Sequence, residues 1–292
     1  MDRSTQSPPP AATGPIVVAT DFSAAADVAV ERAAQLARTL DSELIVLHVF
    51  NDGVWRTLMN VFDVGQWRGP EPALLAREQL SRRVAGLAAG GLRVRAECLT
   101  GSAAGEIAAF AATARARLLV VGQRGENAID ELVLGSTALK LLGRVDVPVL
   151  LARTPGAADY ARVLVATDYS ECSRRLAQAL PGLLPSARCV LFNAYVVPYE
   201  GRMRLAGASD AEIESFRERE RERAESGMAA FVANLAGSAA GRCERRLAYG
   251  FPASAILEQA VTMDADLIAI GRHGGSVAEE RLLGSVTQNV LN

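Results

Sequence analysis

The sequence has few aromatic residues, few cysteines and no long hydrophobic run. Aromatic residues make up 5% of the 292 residues although half of the chain is apolar, so aliphatic side chains and alanine must supply most of the core. A typical apolar run, residues 44–49, includes His48 and falls far short of the roughly 20 residues that a membrane-spanning helix needs. The 31 basic and 33 acidic residues nearly cancel, whereas nucleic-acid-binding domains are usually strongly basic. The composition therefore predicts a globular protein that binds neither membranes nor nucleic acid.

The cysteines and the N-terminal segment carry no sign of export. Cys98, Cys172, Cys189 and Cys243 lie far apart in sequence, without a C-x-x-C pair. This spacing favours reduced thiols in the cytoplasm over a disulfide framework or a bound metal. Residues 1–14 are polar and proline-rich, which predicts a flexible tail rather than a signal peptide.

Several catalytic and cofactor motifs are absent. Lys140 is the only lysine, so no G-x4-G-K-[ST] phosphate loop exists, and no G-x-G-x-x-G fingerprint occurs. Neither a G-x-S-x-G elbow nor an H-E-x-x-H helix is present, and no residue pair supplies a convincing general base. These absences argue against dinucleotide oxidoreductases, P-loop NTPases and hydrolase triads. We therefore expect a protein that is not an enzyme.

Three sequence blocks occur twice, at an offset of 147 to 149 residues. IVVATDFS begins at Ile16 and VLVATDYS at Val163; LVVGQRG and IAIGRHG end at Gly125 and Gly274; LGS ends at Ser136 and at Ser285. A near-constant offset across separated blocks indicates one domain duplicated in tandem. The predicted domains are residues 15–153 and 162–292, joined by a linker at 154–161.

Each half alternates between strand and helix patterns. In the first, the predicted strands are 16–20, 44–50, 92–99, 118–121 and 147–152, and the helices are one capped by Ser23, then 71–89, 102–114 and 136–143. Five strands and four helices in this order predict a doubly wound parallel α/β sheet. The second half repeats four strands, 163–167, 189–197, 242–249 and 267–270. The counterpart of the last strand falls beyond residue 292, so we expect the second domain to lack it.

A glycine pattern, G-x2-G-x9-G-S, occurs once in each half. Its residues are Gly122, Gly125, Gly135 and Ser136, and Gly271, Gly274, Gly284 and Ser285. The first glycine follows a strand and the Gly-Ser pair opens a helix. Glycines let the backbone approach a ligand closely, and a helix start offers free N–H donors, so the pattern favours a phosphate cradle. The alternative is that these glycines serve only turns and a helix start.

Asp21 and Asp168 end the first predicted strand of each half. Ligands of doubly wound sheets bind outside the carboxyl ends of the strands where the winding reverses, which would bring Asp21 opposite Gly122 and Gly125. A role as a helix cap is the alternative for both aspartates. His273 lies in the second glycine loop as a candidate phosphate contact, where Arg124 stands in the first, whereas His48 is predicted to be a hydrogen-bonded core residue.

Three charged or aromatic segments are less specific. The acidic residues between the second and third glycines, namely Glu126, Asp130, Glu131, Glu279 and Glu280, either hold Mg²⁺ beside phosphates or form a solvated loop, which is the favoured interpretation. The run RERERERAE at 217–225 alternates in sign, which predicts an ion-paired helix face. Residues 52–70, with Trp55 and Trp67, are interpreted as a lid, a partner surface or local packing.

The VATDFS and VATDYS segments, the duplicated glycine pattern and LLGSVTQNVL at 282–291 resemble the universal stress protein family, as a tandem member, from about Ile16 onward. The resemblance implies sheets ordered 3-2-1-4-5, of the adenine nucleotide alpha hydrolase-like type, with ATP bound between strands 1 and 4. It implies that Asp21 and Asp168, preceded by Thr20 and Thr167, hold the adenosine end and that Val49 contacts adenine. The resemblance assigns phosphates and ribose to the pattern's glycines, with Ser136, Thr137, Ser285 and Val286.

The resemblance also implies a cytoplasmic, stress-induced ATP sensor, and family dimers are joined through the fifth strand. We therefore expect pairing of the two domains, a homodimer and an unidentified regulatory protein partner. Asn193-Ala194 replaces His48-Val49 in the second half, which weakens the predicted adenine contact of Ala194 and predicts two sites of unequal affinity. The alternatives are a slow Mg²⁺-dependent ATPase and a nucleotide-free dimerisation scaffold.

Overall fold

The chain divides into two compact units, Met1–Asp159 and Tyr160–Asn292. The computed structural model describes residues 13–51, 53, 71–123, 134–156, 158–235, 243–272 and 283–291. Within these ranges, none of the helices has the length and apolarity required to cross a bilayer.

The first unit is a five-stranded parallel sheet with strand order β3-β2-β1-β4-β5. Its elements are β1 (Ile16–Ala19), α1 (Ala24–Thr39), β2 (Leu44–Phe50), α2 (Pro72–Ala89), β3 (Val94–Thr100), α3 (Ala103–Thr113), β4 (Leu118–Gly122), α4 (Ser136–Leu142) and β5 (Val149–Ala152). This arrangement confirms the predicted doubly wound sheet and its strand order. The order reverses between β1 and β4, because the chain continues from β1 to β2 on one side of this point and from β4 to β5 on the other.

The second unit repeats the architecture with four strands among its described residues, in the order β8-β7-β6-β9. Its elements are β6 (Arg162–Ala166), α5 (Glu171–Leu183), β7 (Arg188–Tyr195), α6 (Glu200–Leu205), α7 (Asp210–Ala233), β8 (Cys243–Tyr249), α8 (Pro252–Thr262), β9 (Leu267–Ile270) and α9 (Ser285–Leu291). The order corresponds to 3-2-1-4 of the first sheet. The expectation of a four-stranded second sheet is therefore confirmed.

Central strands form because their residues are apolar on both faces. Leu44–Leu47 of β2 and Val163–Ala166 of β6 are all buried, as helices cover parallel sheets from either side. One face of the second sheet packs Leu164 and Phe192 against Ile256 of α8 and Val290 of α9. The outer strands β3 and β8 are only partly buried, which accounts for their polar sequences.

Serine caps fix where the helices begin after β1 and β6. Ser23 Oγ accepts a hydrogen bond from Ala26 N at 3.2 Å, and Ser170 Oγ accepts one from Ser173 N at 3.3 Å. Each cap satisfies a backbone donor that the first helical turn leaves free. The predicted cap at Ser23 is confirmed, and the chain leaves both strands through the same turn.

The alternating charges at 217–225 lie on α7. Arg221 pairs with Glu225 at 3.1 Å, one helical turn away, and Arg217 pairs with Glu214 at 3.4 Å. Oppositely charged side chains three or four residues apart are neighbours on the surface of a helix. The predicted ion-paired helix face is confirmed.

The segment that follows β5 is attached to α1. Arg32 is 5% exposed, and its guanidinium donates to the Ala158 carbonyl oxygen at 2.6 Å and to the Pro155 carbonyl oxygen at 2.7 Å. A Cβ on Gly156 would lie 2.6 Å from the Glu31 carbonyl oxygen, which is closer than Cβ atoms approach. Pro155, Gly156 and Ala158 are therefore held against the helix by a buried cation and a required glycine.

Candidate functional site

The sheet of the first unit aligns the predicted ligand-binding residues at one edge. Counting on from the paired residues of β1 and β4, Thr20 is level with Gly122. Counting on from the pairing of β1 with β2, Asp21 is level with Val49. The structure therefore places Thr20, Asp21, Val49 and Gly122 around the point where the strand order reverses.

The second unit builds the same edge from its own strands. Thr167 is level with Gly271 across β6 and β9, and Asp168 is level with Ala194 across β6 and β7. The two copies of the predicted site thus occupy equivalent positions in the two sheets.

The turn after each first strand is held by the threonine and the aspartate themselves. Thr20 is 5% exposed, and its Oγ1 accepts from Phe22 N at 3.1 Å, while Asp21 Oδ1 accepts from Ser23 N at 3.1 Å. The alternative role of Asp21 in the start of α1 therefore has a geometric basis. Asp21 is also exposed to solvent.

The same turn in the second unit adds a hydroxyl chain. Tyr169 N donates to Thr167 Oγ1 at 3.0 Å, Thr167 Oγ1 lies 3.0 Å from Ser173 Oγ, and Ser173 Oγ lies 3.1 Å from Asp168 Oδ1. Asp168 Oδ1 also accepts from Ser170 N at 3.1 Å. These donors orient the Asp168 carboxylate within its own turn.

An alanine breaks this chain in the first unit. Ala26 stands where the repeat offset places Ser173, so the hydroxyl that links Thr167 with Asp168 has no counterpart at this position of the first unit. The two aspartates therefore share a position but differ in their internal partners.

The aromatic residue after each aspartate has a left-handed backbone. Phe22 and Tyr169 both have φ +65°, a conformation that is uncommon for residues other than glycine. Two copies of the same strained turn show that the surroundings enforce it. The strain turns the chain sharply from the strand end into the capped helix.

His48 and Asn193 make the same hydrogen bond with different chemistry. His48 Nδ1 lies 2.8 Å from the Thr20 carbonyl oxygen, and Asn193 Nδ2 donates to the Thr167 carbonyl oxygen at 2.8 Å. A carbonyl only accepts, so the Nδ1 of His48 carries the proton. His48 is hydrogen-bonded as predicted, but it is half-buried against Phe22, with ring centroids 4.5 Å apart, rather than part of the core.

The third glycine of each pattern closes its loop onto the strand end. Gly135 N donates to the Gln123 carbonyl oxygen at 2.9 Å, and Gly284 N donates to the Arg272 carbonyl oxygen at 3.0 Å. The second unit has one more link, because Thr287 Oγ1 donates to the Gly271 carbonyl oxygen at 2.8 Å. The glycine segments are thus anchored beside the first strand in both units.

The residues after the third glycines lie at the starts of α4 and α9. Ser136, Thr137 and Ser285 are exposed, and Val286 is half-buried. Arg124, Gly125, His273 and Gly274 lie outside the described residues, as do Glu126, Asp130, Glu131, Glu279, Glu280, Trp55 and Trp67. The predicted roles of these residues stay predictions.

Gln123 offers a donor at the first site. Arg153 Nε donates to Gln123 Oε1 at 2.9 Å, which fixes the orientation of the amide. Its Nε2 is buried and has no hydrogen-bond partner among the described residues. A buried donor without a partner is costly, so an acceptor such as a ligand oxygen fits this position.

Arg83 is a site residue that the sequence analysis missed. From α2 its Nη1 donates to Thr20 Oγ1 at 3.3 Å, and its Nη2 forms an ion pair with Asp27 of α1. Its guanidinium also lies 5.8 Å from the centre of the Phe22 ring. Arg83 belongs to no motif, and the packing of α2 against β2 and β3 brings its positive charge to the end of β1.

At the equivalent turn of the second unit, the aromatic side chain of Tyr169 packs against α7. Tyr169 OH donates to the Ala224 carbonyl oxygen of α7 at 2.7 Å, and its ring centroid lies 5.9 Å from that of Phe231. A Cβ on Gly227 would lie 2.7 Å from the Tyr169 ring. Gly227 therefore allows α7 to approach the turn closely.

Burial of Tyr169 gives the second unit a specific alkaline transition. Burial raises the pKa of Tyr169 to about 12 from its ordinary value of 10.0, because the charged phenolate loses its water. Because the pKa is higher in the folded than in the unfolded state, the neutral Tyr169 phenol contributes to the free energy of unfolding of the second unit. This contribution is fully present below pH 10 and is lost as the pH rises from 10 through 12. We expect one tyrosine to ionise near pH 12, measured by tyrosinate absorbance. The step should vanish in Tyr169→Phe, and an unchanged titration curve in that variant would contradict the assignment.

A cluster of charged and polar side chains lies at the carboxyl end of β8 in the second unit. Glu200 of α6 accepts from Arg217 Nη2 at 2.7 Å and from the Tyr249 hydroxyl. These donors lower the pKa of Glu200 to about 2, with the Tyr249 hydrogen bond as the largest cause. The cluster links α6, α7 and the carboxyl end of β8.

Comparison with known proteins identifies the duplicated domain. The model of the universal stress protein family matches residues 13–153 and 159–292. A universal stress protein of Methanocaldococcus jannaschii is 26% identical over 150 residues, which are 48% of this chain and 82% of that protein.

Two solved structures share the tandem fold over almost the whole chain. A universal stress protein from Archaeoglobus fulgidus superposes with a TM-score of 0.62 at 19% identity, over 94% of this chain and 93% of that one. A functionally unknown protein from Pseudomonas aeruginosa gives a TM-score of 0.58 at 18% identity, over 96% and 89% of the two chains. At these identities the likeness shows a common fold.

Proposed function

This chain belongs to the universal stress protein family, and from that premise we propose that it is a regulatory protein that binds ATP at the carboxyl edge of each sheet. The observation that carries the proposal is the duplicated edge: a Thr-Asp turn stands beside an anchored glycine segment in both units. Ligands bind at this point in doubly wound sheets. Retention of the same turn in two copies, down to the left-handed aromatic, supports a shared ligand rather than local packing alone.

The described residues fit a nucleotide. The unpartnered Gln123 Nε2 and the Arg83 guanidinium are donors that suit anionic or polar ligand oxygens at the first site. In our proposal, Asp21 and Asp168 hold the adenosine end, and Gly135, Gly284 and the residues after them hold phosphates. A partner protein would recognise the chain when ATP, accompanied by Mg²⁺, is bound.

The two sites differ in ways that favour tighter binding by the first. Arg83 adds a positive charge at Thr20, whereas the second unit has the uncharged Tyr169–α7 contact at the corresponding turn. Asp168 also accepts a hydrogen bond from Ser173 Oγ, which Ala26 cannot supply to Asp21, so Asp168 gives up this bond when it binds a ligand. We therefore propose unequal affinities, with the first site retaining nucleotide longer.

Nucleotide content tests the proposal directly. The protein is purified without added ligand and denatured, and the released nucleotide is quantified per chain, before and after incubation with ATP and Mg²⁺. Saturation near two ATP per chain is expected, falling to about one in Gly135→Val and in Gly284→Val, because a side chain fills only its own cradle. The Gly284→Val chain should retain the tighter site.

Gly86→Ala is the matched control, since a Cβ there meets nothing within 4 Å, and its nucleotide content should equal that of the parent. If the parent protein takes up no ATP, the proposal fails and the nucleotide-free scaffold is the function that remains. ATP turnover above about 1 s⁻¹ would instead favour an enzyme, because enzymes commonly work at 1–10³ s⁻¹. A regulatory role and a cytoplasmic location both follow from the family resemblance and remain part of the proposal.

A further inference from the structure

Two cysteines that are distant in sequence lie side by side in the second sheet. Cys189 of β7 and Cys243 of β8 are direct register partners on neighbouring parallel strands. Such strands lie about 4.8 Å apart, and register partners project from the same face. This spacing falls within the roughly 4.4–6.8 Å between Cα atoms that a disulfide spans.

The pair combines a protected thiol with an accessible one. Cys189 is 6% exposed and Cys243 is partly exposed, and both are free thiols. The Cys189 thiol donates a hydrogen bond to the Cys243 sulfur, which raises the pKa of Cys189 and lowers the pKa of Cys243. Since the thiolate is the reactive form, Cys243 is the sulfur that meets an oxidant first.

We propose that Cys189 and Cys243 form an oxidation site, which hydrogen peroxide converts into an intrachain disulfide. In the first step the Cys243 sulfur attacks peroxide: an S–O bond forms, the O–O bond breaks, and the leaving hydroxide takes a proton to become water. In the second step the Cys189 sulfur attacks the resulting sulfenic acid: the S–S bond forms, the S–O bond breaks, and the hydroxyl leaves as water with the Cys189 proton. The two thiols lose two electrons and two protons, and one peroxide becomes two waters.

The remaining cysteines lack this arrangement. Cys98 lies on β3 of the first unit and Cys172 on α5, each partly exposed. Their oxidation serves as a comparison, because it measures how readily a partly exposed thiol reacts without a neighbouring cysteine. The proposal is independent of nucleotide binding.

The test uses the full chain. The protein is treated with peroxide, its remaining thiols are blocked with a maleimide, and it is digested with trypsin without reductant. Mass spectrometry should find peptide 189–202 joined to peptide 243–245, and free thiols should fall from four to two per chain. The Cys98→Ser/Cys172→Ser double variant should form the same link and lose both of its thiols. Cys189→Ser and Cys243→Ser should each abolish the link.

The double variant keeps the experiment informative if a change at the buried Cys189 prevents folding. Recovery of Cys243 as a sulfinic or sulfonic acid beside an unmodified Cys189 would overturn the proposal, as would disulfide-linked dimers in place of the intrachain bond.

Discussion

Replacing Arg32 by alanine is expected to cost the first unit about 3 kcal/mol of its free energy of unfolding. The guanidinium is buried and donates to the carbonyl oxygens of Pro155 and Ala158, in a segment that follows β5. Hydrogen bonds from a charged donor contribute about 1.5–3 kcal/mol each, and water recovers part of that at these exposed residues. Alanine also leaves a space between α1 and the two residues that Arg32 contacts, Pro155 and Ala158.

Two measurements check this result. Hydrogen exchange, followed peptide by peptide, gives the unfolding free energy of the first unit with the second unit as internal reference. Trypsin should cleave faster after Arg153, because the residues beyond it are no longer held on α1. Arg38→Ala is the matched control on an exposed position of the same helix, where we expect a change within about 0.5 kcal/mol.

Arg32→Lys separates charge from geometry. One ammonium group keeps the positive charge but lacks the planar fork that serves two carbonyls at once. The lysine variant should therefore fall between the parent and Arg32→Ala. Full stability in the lysine variant would contradict the bidentate role assigned to Arg32.

Gly122→Ala is expected to destabilise the first unit by about 2 kcal/mol. A Cβ on Gly122 would lie 2.7 Å from the Ala25 carbonyl oxygen and 3.2 Å from Ala26 N, both backbone atoms of the first turn of α1. Backbone cannot move aside as a flexible side chain can, so α1 must shift away from β4. The smaller unfolded-state entropy of alanine returns only about 0.4–1 kcal/mol.

The comparison with Gly86→Ala isolates the clash from the glycine-to-alanine change itself. Gly86 lies in α2 with open space around its Cβ position, so this variant should gain up to about 1 kcal/mol through helix propensity. Urea unfolding of both variants, resolved by unit through hydrogen exchange, measures the difference. Equal stabilities would show that α1 moves without cost and that Gly122 is not required for packing.

The element positions followed from the sequence because their causes are local, whereas the strand order was implied by the family resemblance. Residues 16–19 and 44–47 are apolar in succession, as strands covered on both faces require, and Ser23 carries the usual cap chemistry. The duplicated Thr-Asp and glycine segments then pointed to one edge of each sheet. The first glycine illustrates the limit of this reasoning, because Gly122 also has a packing role that only the approach of α1 reveals.

Contacts that depend on strand register or on packing between distant segments could not be predicted from the sequence. Cys189 and Cys243 are brought together by the pairing of β7 with β8, and Arg83 reaches Thr20 through the packing of α2. Asn193 and His48 are chemically different, yet each side chain forms a hydrogen bond with the main-chain carbonyl oxygen of the threonine in the turn after the first strand of its unit. The replacement therefore preserves the turn, while its effect on adenine affinity stays a prediction.

The separation of the two sheets along the chain has a consequence for biosynthesis. Strands β1–β5 come from residues 16–152 and β6–β9 from residues 162–270, so neither sheet borrows a strand from the other. Domains of this kind fold as units during translation, the N-terminal one first. A ribosome that has released residues up to Asp159 has delivered every partner that the first sheet needs. Within each sheet the first strand waits about 100 residues for its second partner, β1 for β4 and β6 for β9. Both sheets therefore leave one edge of their first strand unpaired over a similar length of synthesis.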